Sequence, residues 1–127
     1  MEDRTITLTT GALLLSTVML ATYSQLMWKA RALAHAARPT DGTLDYILTV
    51  LRDPWIWSGL ASMGLGTAGW ILVLRRLDLS VAFPATALVF VLVPVGAHLL
   101  FGEALPPGRI AGLGLIVLGI ILVARSA

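Results

Sequence analysis

The pattern of apolar and polar residues predicts a helical hairpin at the C-terminal end of the chain. Two apolar runs, residues 80–101 and 110–124, are separated by the short polar turn 102–109. A helix of about 20 apolar residues matches the hydrocarbon thickness of a lipid bilayer. Because the turn is short, the two runs are expected to pack antiparallel. This part of the chain is therefore predicted to cross a membrane twice.

Two further spans and a surface helix are predicted before this hairpin. Residues 6–28 form a span interrupted by hydroxyl side chains, which can hydrogen-bond to their own helix, and residues 55–74 form the next. Between them, apolar residues at helical spacing predict a short amphipathic helix on the membrane surface at residues 43–52. With spans at 80–100 and 107–124, the chain is predicted to be an all-α membrane protein. We expect residues 1–127 to form a single domain of four transmembrane helices.

The composition supports membrane insertion and excludes several classes of protein. Of the 127 residues, 57% are hydrophobic and 13% charged, against about 25% charged residues in a typical soluble domain. The chain has no cysteine, and His35 and His98 lack the spacing of metal ligands. The net charge of +2 is too small to indicate nucleic-acid binding. We predict no metal, no cofactor and no enzymatic activity.

The N-terminal apolar stretch is predicted to be a retained span rather than a cleaved signal peptide. It opens with Glu2 and Asp3, where a signal peptide would open with basic residues. The stretch is also longer than the apolar region of a signal peptide and lacks a convincing cleavage site.

The basic residues give almost no preference for either orientation in the membrane. Four spans would place both termini on one side, together with four basic residues: Arg4, Arg75, Arg76 and Arg125. The opposite side would carry five: Lys29, Arg31, Arg38, Arg52 and Arg109. One interpretation is that this near tie carries little information about orientation in so short a chain. It also suits dual insertion in an antiparallel homodimer, or an orientation set by a partner.

Several segments resemble the short, four-span members of the drug/metabolite transporter superfamily. Residues 72–84 are similar to the junction of their second and third spans. Residues 100–105 and 112–120 are similar to their last hairpin, and residues 25–29 resemble the end of their first span. The resemblance covers all four spans in order.

Two branches of this superfamily have four spans, and the residues distinguish them. Small multidrug resistance proteins exchange cations for protons through a glutamate in span one, where this chain has Ala21. An aromatic residue of their drug site corresponds to Thr86. The Gln25–Lys29 ending and the Phe83–Pro84 pair resemble instead the aminoarabinose-phosphoundecaprenol flippase subunits, whose members work in pairs on a lipid-linked sugar.

This second resemblance implies a flippase subunit in the bacterial inner membrane that moves a polyprenyl-phosphate-linked sugar, with a homodimeric or paralogous partner. The implied substrate-binding residues are Lys29, Gln25, Glu103, Tyr23, Arg31, Trp70 and Pro84. Lys29 and Arg31 would hold the phosphate, Gln25 a sugar hydroxyl, and Tyr23 and Trp70 would face the sugar. Pro84 would shape the path along span three.

Simpler interpretations remain open for the same residues. Glu103 either caps the hairpin at the membrane interface, reads an amino group of the substrate, or pairs with Lys29 or Arg109. Lys29 and Arg31 also suit a role as interface anchors. At the level of the whole chain, the alternatives are an exporter of cations or small metabolites and an accessory membrane subunit that transports nothing.

Overall fold

The computed structural model describes residues 2–126, with side chains from residue 7 onward. The helices in this part of the chain are α1 (Glu2–Ala36), α2 (Thr43–Leu51), α3 (Pro54–Leu74), α4 (Leu79–Thr86), α5 (Val89–Phe101) and α6 (Pro107–Ser126). Four segments are long and apolar enough to span a membrane: Thr7–Ala36, Pro54–Leu74, Leu79–Phe101 and Pro107–Ser126. The predicted all-α, four-span fold is confirmed, including the short helix between spans one and two.

Span one continues well beyond the predicted end at Trp28. The helix α1 runs without a break to Ala36, because residues 29–36 are rich in alanine and other strong helix formers. Its 35 residues make a helix about 50 Å long, against about 30 Å of hydrocarbon. The helix α1 is therefore longer than the apolar layer, and its last turns carry Lys29, Arg31 and His35.

Span three is divided into the two helices α4 and α5. Pro84 lies inside α4 and Pro94 inside α5, but the helix is interrupted only between Thr86 and Val89. At this break the backbone N–H groups of Ala87 and Leu88 donate to carbonyls three residues earlier, at 3.0 and 3.2 Å. A proline lacks a backbone N–H and crowds the preceding turn, so a local change of helix geometry near Pro84 is expected.

The best-packed contact in the molecule joins α1 to α3 through polar atoms and small residues. Ser24 Oγ donates to the Gly59 carbonyl at 2.8 Å, and Ser62 Oγ donates to the Leu20 carbonyl at 2.9 Å. One turn further along, Trp28 Nε1 donates to the carbonyl of Ile56 at 3.2 Å. Helix association in lipid depends on such close packing and hydrogen bonding, since lipid tails are as apolar as the side chains.

The helix α2 packs beside the last turns of α1 and the first turn of α3. Tyr46 Oη donates to the Ala32 carbonyl at 3.3 Å. The apolar side chains that predicted an amphipathic helix are exposed: Leu44, Ile47, Leu48 and Leu51. This exposed apolar side is the one that the sequence pattern assigns to the membrane surface.

The helix α6 lies at the edge of the molecule. It contacts α4 and α5, and none of its residues is buried. Side chains added at Gly112, Gly114 or Gly119 would meet no atom within 4 Å. Its glycines therefore leave open surface among the described residues.

The α1–α3 contact predicts a sharp difference between two glycines of the same helix. A Cβ atom at Gly59 would lie 2.5 Å from Trp28 Nε1, whereas a Cβ at Gly64 would meet nothing within 4 Å. We expect Gly59→Ala to destabilise the protein by about 1–3 kcal/mol through overpacking. Gly64→Ala is the matched control and should unfold like the wild type or at a slightly higher temperature. Thermal unfolding in detergent measures both, and equal melting temperatures would contradict this packing.

Candidate functional site

Lys29 and Glu103, two of the predicted site residues, form an ion pair. Lys29 Nζ lies 3.3 Å from Glu103 Oε1, and both side chains are partly accessible. Lys29 comes from the last third of α1, and Glu103 from the turn between α5 and α6. Of the partners considered for Glu103, the structure selects Lys29, while Arg109 Nη1 donates to the Ala104 carbonyl at 3.0 Å.

The turn that carries Glu103 is held by its own backbone geometry. Gly102 ends α5 in a left-handed conformation, with φ of 67°, which favours glycine because other residues have a Cβ atom. Next to it, His98 Nδ1 lies 2.6 Å from the carbonyl oxygen of Glu103. These contacts fix the backbone of Glu103 and leave its carboxylate free to face α1.

An apolar groove of about 370 Å³ lies beside the Lys29–Glu103 pair. Its walls come from the third quarter of α1 and the end of α5: Tyr23, Leu26, Met27, Ala30, Leu100 and Phe101. The hydroxyl of Tyr23 is 2.9 Å from Ser58 Oγ, so this predicted site residue also contacts α3. A charged pair next to an apolar groove suits a ligand with a polar head and a lipid tail.

Gln25 lies one helical turn before Lys29, on the same side of α1. Its side chain is exposed and makes no hydrogen bond within residues 7–126. The amide is therefore available to a ligand or to another chain.

Arg31 lies on a different side of α1 from Lys29 and belongs to a different group of residues. Successive residues on a helix are rotated by about 100°, so two positions apart they face nearly opposite directions. Arg31 Nε pairs with Asp53 Oδ2, and His35 Nε2 lies 2.7 Å from the same oxygen. The structure thus separates the two cations that the sequence analysis had assigned to one phosphate.

Asp53 is the buried centre of this second group, only 6% exposed. Its Oδ1 accepts the backbone N–H of Trp55 at 2.9 Å, which caps the start of α3. Burial alone would raise the pKa of Asp53. Hydrogen bonds from His35, Trp55 N and Arg31, together with the Arg31 charge, outweigh burial and lower this pKa from 3.8 to about 2. The carboxylate therefore stays ionised and ties α1 to the beginning of α3.

The sequence analysis missed the contact of His35 with Asp53. A signal was present: Arg31 and His35 are one helical turn apart, and Asp53-Pro54 is typical of a helix start. The predicted end of span one at Trp28 hid this signal, because it placed both basic residues in a loop.

Trp70 and Pro84 lie in a third region, away from the Lys29–Glu103 pair. Trp70 and Phe83 stack edge to face, with ring centroids 6.4 Å apart, beside a cavity of about 310 Å³. Pro84 follows Phe83 in α4. No charged residue is among those lining the cavity: Thr17, Val18, Ala21, Met63, Gly66, Thr67, Trp70, Phe83, Thr86 and Val89. Ala21 and Thr86, the two departures from the multidrug resistance pattern, both line it.

The metal-binding potential of the described residues is low. Within them, no three histidine, aspartate or glutamate side chains lie close enough to hold an ion together. The polar chemistry is instead that of charge pairs at the end of the spans.

The fold and the charged pair define a small multi-pass membrane protein with a polar site beside an apolar groove. No protein-family model and no solved structure matches the chain. Curated relatives do match, and several of them are named a probable 4-amino-4-deoxy-L-arabinose-phosphoundecaprenol flippase subunit, ArnE. The Pseudomonas aeruginosa (strain UCBPP-PA14) protein is 38% identical over 117 residues, 92% of this chain and 98% of the relative.

Relatives from two further species have the same name. The Pseudomonas savastanoi pv. phaseolicola relative is 33% identical over 118 residues, 93% of this chain and 99% of its own. The Aeromonas hydrophila relative is 34% identical over 110 residues, 87% and 92% of the two chains. The chain therefore belongs to the ArnE family of flippase subunits.

The lowered pKa of Asp53 predicts a pH-dependent stability. A carboxyl group with a depressed pKa in the folded state stabilises that state fully above its unfolded pKa. This contribution is lost as the pH falls from 3.8 toward 2. We expect Asp53→Asn to lower the melting temperature at neutral pH and to remove this part of the acid-induced decrease.

The control for this experiment is Asp78→Asn. Asp78 precedes α4 but its side chain makes no capping hydrogen bond. This variant should keep both the wild-type stability and its dependence on pH between 2 and 4. Identical pH profiles for Asp53→Asn and the wild type would contradict the role given to Asp53.

Proposed function

We propose that the chain is a subunit of a flippase that moves 4-amino-4-deoxyarabinose-phosphoundecaprenol across the bacterial inner membrane. The names of its relatives support this substrate, and the four spans support a transporter embedded in lipid. The activity is transport rather than catalysis. The headgroup site is the Lys29–Glu103 pair.

The observation that carries the proposal is the match between this ion pair and the charges of the substrate. The headgroup has an amino group and a phosphate, so it carries both signs of charge. Lys29 offers an ammonium for the phosphate, and Glu103 offers a carboxylate for the amino group; Lys29 Nζ and Glu103 Oε1 lie 3.3 Å apart. On binding, the Lys29–Glu103 ion pair is replaced by two pairs, Lys29 with the phosphate and Glu103 with the amino group. Neither residue is therefore left unpaired in the complex.

The surroundings of the pair suit the rest of the substrate. The groove beside it is lined by apolar residues and Tyr23, which fits the first isoprenoid units of the tail. Gln25, exposed one turn from Lys29, is placed to bond a sugar hydroxyl. Arg31 takes no part in this site, because Asp53 holds its guanidinium.

A cation exporter is the less favoured alternative. A lipophilic cation in an apolar cavity needs a carboxylate that faces it, as ionisable groups in a membrane do at transport sites. The central cavity has Ala21 and Thr86 on its walls and no acidic residue among its lining.

Assembly with a second chain, a copy of this one or a paralogue, completes the proposal. The relatives are named as subunits. The edge helix α6 has no buried residue, and its glycines would allow close approach of another helix. A headgroup path bounded by two chains also explains why the Lys29–Glu103 pair lies on the surface of one.

The substrate assignment is tested by binding to two lipids that differ only in the amino group. The probes are 4-amino-4-deoxyarabinose-phosphopolyprenol and its N-acetyl derivative, which has lost the positive charge. We expect the wild type to prefer the free amine, Glu103→Gln to lose this preference, and Lys29→Gln to bind both lipids about tenfold or more weakly. Arg76→Gln, at the opposite end of α3, serves as the charge-matched control. An unchanged preference in Glu103→Gln would refute the headgroup site.

The assembly surface is tested with two glycine substitutions that a single chain tolerates. Gly119 on α6 and Gly64 on α3 are both exposed, and a Cβ at either meets no atom within 4 Å. We expect Gly119→Leu to reduce association with the second chain in detergent, measured by light scattering or cross-linking, and Gly64→Leu to leave it unchanged. The reverse result would move the interface away from α6.

A further inference from the structure

A polar cavity of about 430 Å³ opens beside Asp53, next to the last turns of α1. Its walls come from α1, the loop after it, α2 and the start of α3: Arg31, His35, Arg38, Thr49, Arg52, Asp53, Pro54 and Trp55. Of these residues the sequence analysis assigned only Arg31 to a ligand, and the proposed transport site uses none of them.

The cavity has an excess of positive charge. Three arginines line it with a single carboxylate, and both oxygens of Asp53 already accept hydrogen bonds from Arg31, His35 and Trp55 N. Within residues 7–126 the guanidinium groups of Arg38 and Arg52 make no hydrogen bond or ion pair. The nearby acids Asp41 and Asp45 are not among the lining residues. The wall of the cavity therefore has two guanidinium groups without a partner among the described residues.

His35 supplies a second, independent observation. Its side chain is 5% exposed, and Nδ1 is a buried nitrogen without a hydrogen-bond partner in the described part of the chain. Buried polar atoms in folded proteins almost always have a partner, so an orphan atom beside a cavity points to a missing ligand. Nε2 is occupied by Asp53. Nδ1 is therefore the ring atom of His35 that has no partner among the described residues.

The chemistry of the donors favours phosphate. Guanidinium groups bind phosphate oxygens with paired, charge-assisted hydrogen bonds, and Thr49 adds a hydroxyl to the wall of the cavity. We propose that this cavity binds the phosphate group of an anionic membrane lipid.

The position of the cavity indicates a lipid as the source of the phosphate. Arg52 and Thr49 belong to the amphipathic segment whose apolar residues, Leu44, Leu48 and Leu51 among them, are exposed for contact with the membrane. Trp55 lines the cavity at the start of span two, and tryptophan is enriched at headgroup level. A phosphate at this depth belongs to a headgroup whose acyl chains extend along α2 and α3.

This site is distinct from the one proposed for transport. Lys29 contacts the α5–α6 turn, whereas Arg31 and His35 contact the start of α3. The lipid bound here would anchor α2 and the last turns of α1 to the membrane surface. Loss of either site leaves the residues of the other in place.

Lipid retention by the full-length chain tests the proposal. The wild type is purified in detergent, offered phosphatidylglycerol or a diacylglycerol with the same acyl chains, and analysed by native mass spectrometry. We expect it to retain phosphatidylglycerol in preference to diacylglycerol. Arg38→Gln/Arg52→Gln should reduce this retention about tenfold or more, because it removes charge-assisted hydrogen bonds. Both side chains are exposed and unpaired among the described residues, so the variant should fold.

The matched control is Arg75→Gln/Arg76→Gln, which removes the same charge at the other end of α3. It should retain the lipid like the wild type. Equal retention by Arg38→Gln/Arg52→Gln and the wild type overturns the proposal. An equal loss of retention in both double variants also overturns it, because it would show that the anionic lipid is attracted to any cationic surface of the protein.

A further measurement with inorganic phosphate distinguishes the source of the anion. If phosphate, and not chloride, raises the melting temperature of the wild type but not of Arg38→Gln/Arg52→Gln, while phosphatidylglycerol is not retained, the phosphate site stands and its ligand comes from the aqueous phase. That result would overturn the assignment to a lipid.

Discussion

The register between α1 and α3 determines how Arg31 and His35 at the end of α1 meet Asp53 at the start of α3. Ser24, Trp28 and Ser62 make hydrogen bonds between the two helices, and Gly59 lets the Trp28 ring approach the backbone of α3. In lipid, where apolar contact alone does not favour one helix pairing over another, such polar contacts specify the alignment. With Trp28 opposite Ile56, the next turn of α1 brings Arg31 to Asp53.

This alignment gives the last turns of α1 two chemically different sides. One side carries Lys29, which pairs with Glu103 beside an apolar groove. The other carries Arg31 and His35, which contact Asp53 and border a cavity with two further arginines. A single helix thus supplies cations to both places, and the ion pair with Asp53 prevents Arg31 from serving the first. For a member of a flippase subunit family, the two sides of α1 keep the proposed headgroup site at Lys29 apart from the proposed lipid site beside Asp53.

The sequence predicted the parts of this fold that depend on local pattern. Hydropathy alone places the four spans, and the spacing of Leu44, Ile47, Leu48 and Leu51 predicts α2. The Asp53-Pro54 pair indicates the start of α3, where Asp53 is indeed the capping residue. Glu103 with Lys29 was one of several open pairings, because only the turn conformation decides between Lys29 and Arg109.

What could not be predicted depends on contacts between distant parts of the chain. The continuation of α1 to Ala36 follows from helix propensity, but hydropathy ends the span at Trp28, where the apolar run stops. The contact of His35 with Asp53 also needs the α1–α3 register, which the spacing of Arg31 and His35 does not fix by itself. The break after Thr86 lies beyond Pro84 rather than at it, and the pattern of prolines does not predict this position.

The division of α1 into two sides is tested most directly by cross-linking, which is simple in a chain without native cysteine. Cysteine pairs are introduced at positions 31 and 53, 29 and 103, and 29 and 53, and treated in membranes with a short bifunctional thiol reagent. Cross-links should form rapidly for the first two pairs, whose native side chains are in contact, and slowly or not at all for the third. Rapid cross-linking of positions 29 and 53, without cross-linking of 29 and 103, would contradict this arrangement.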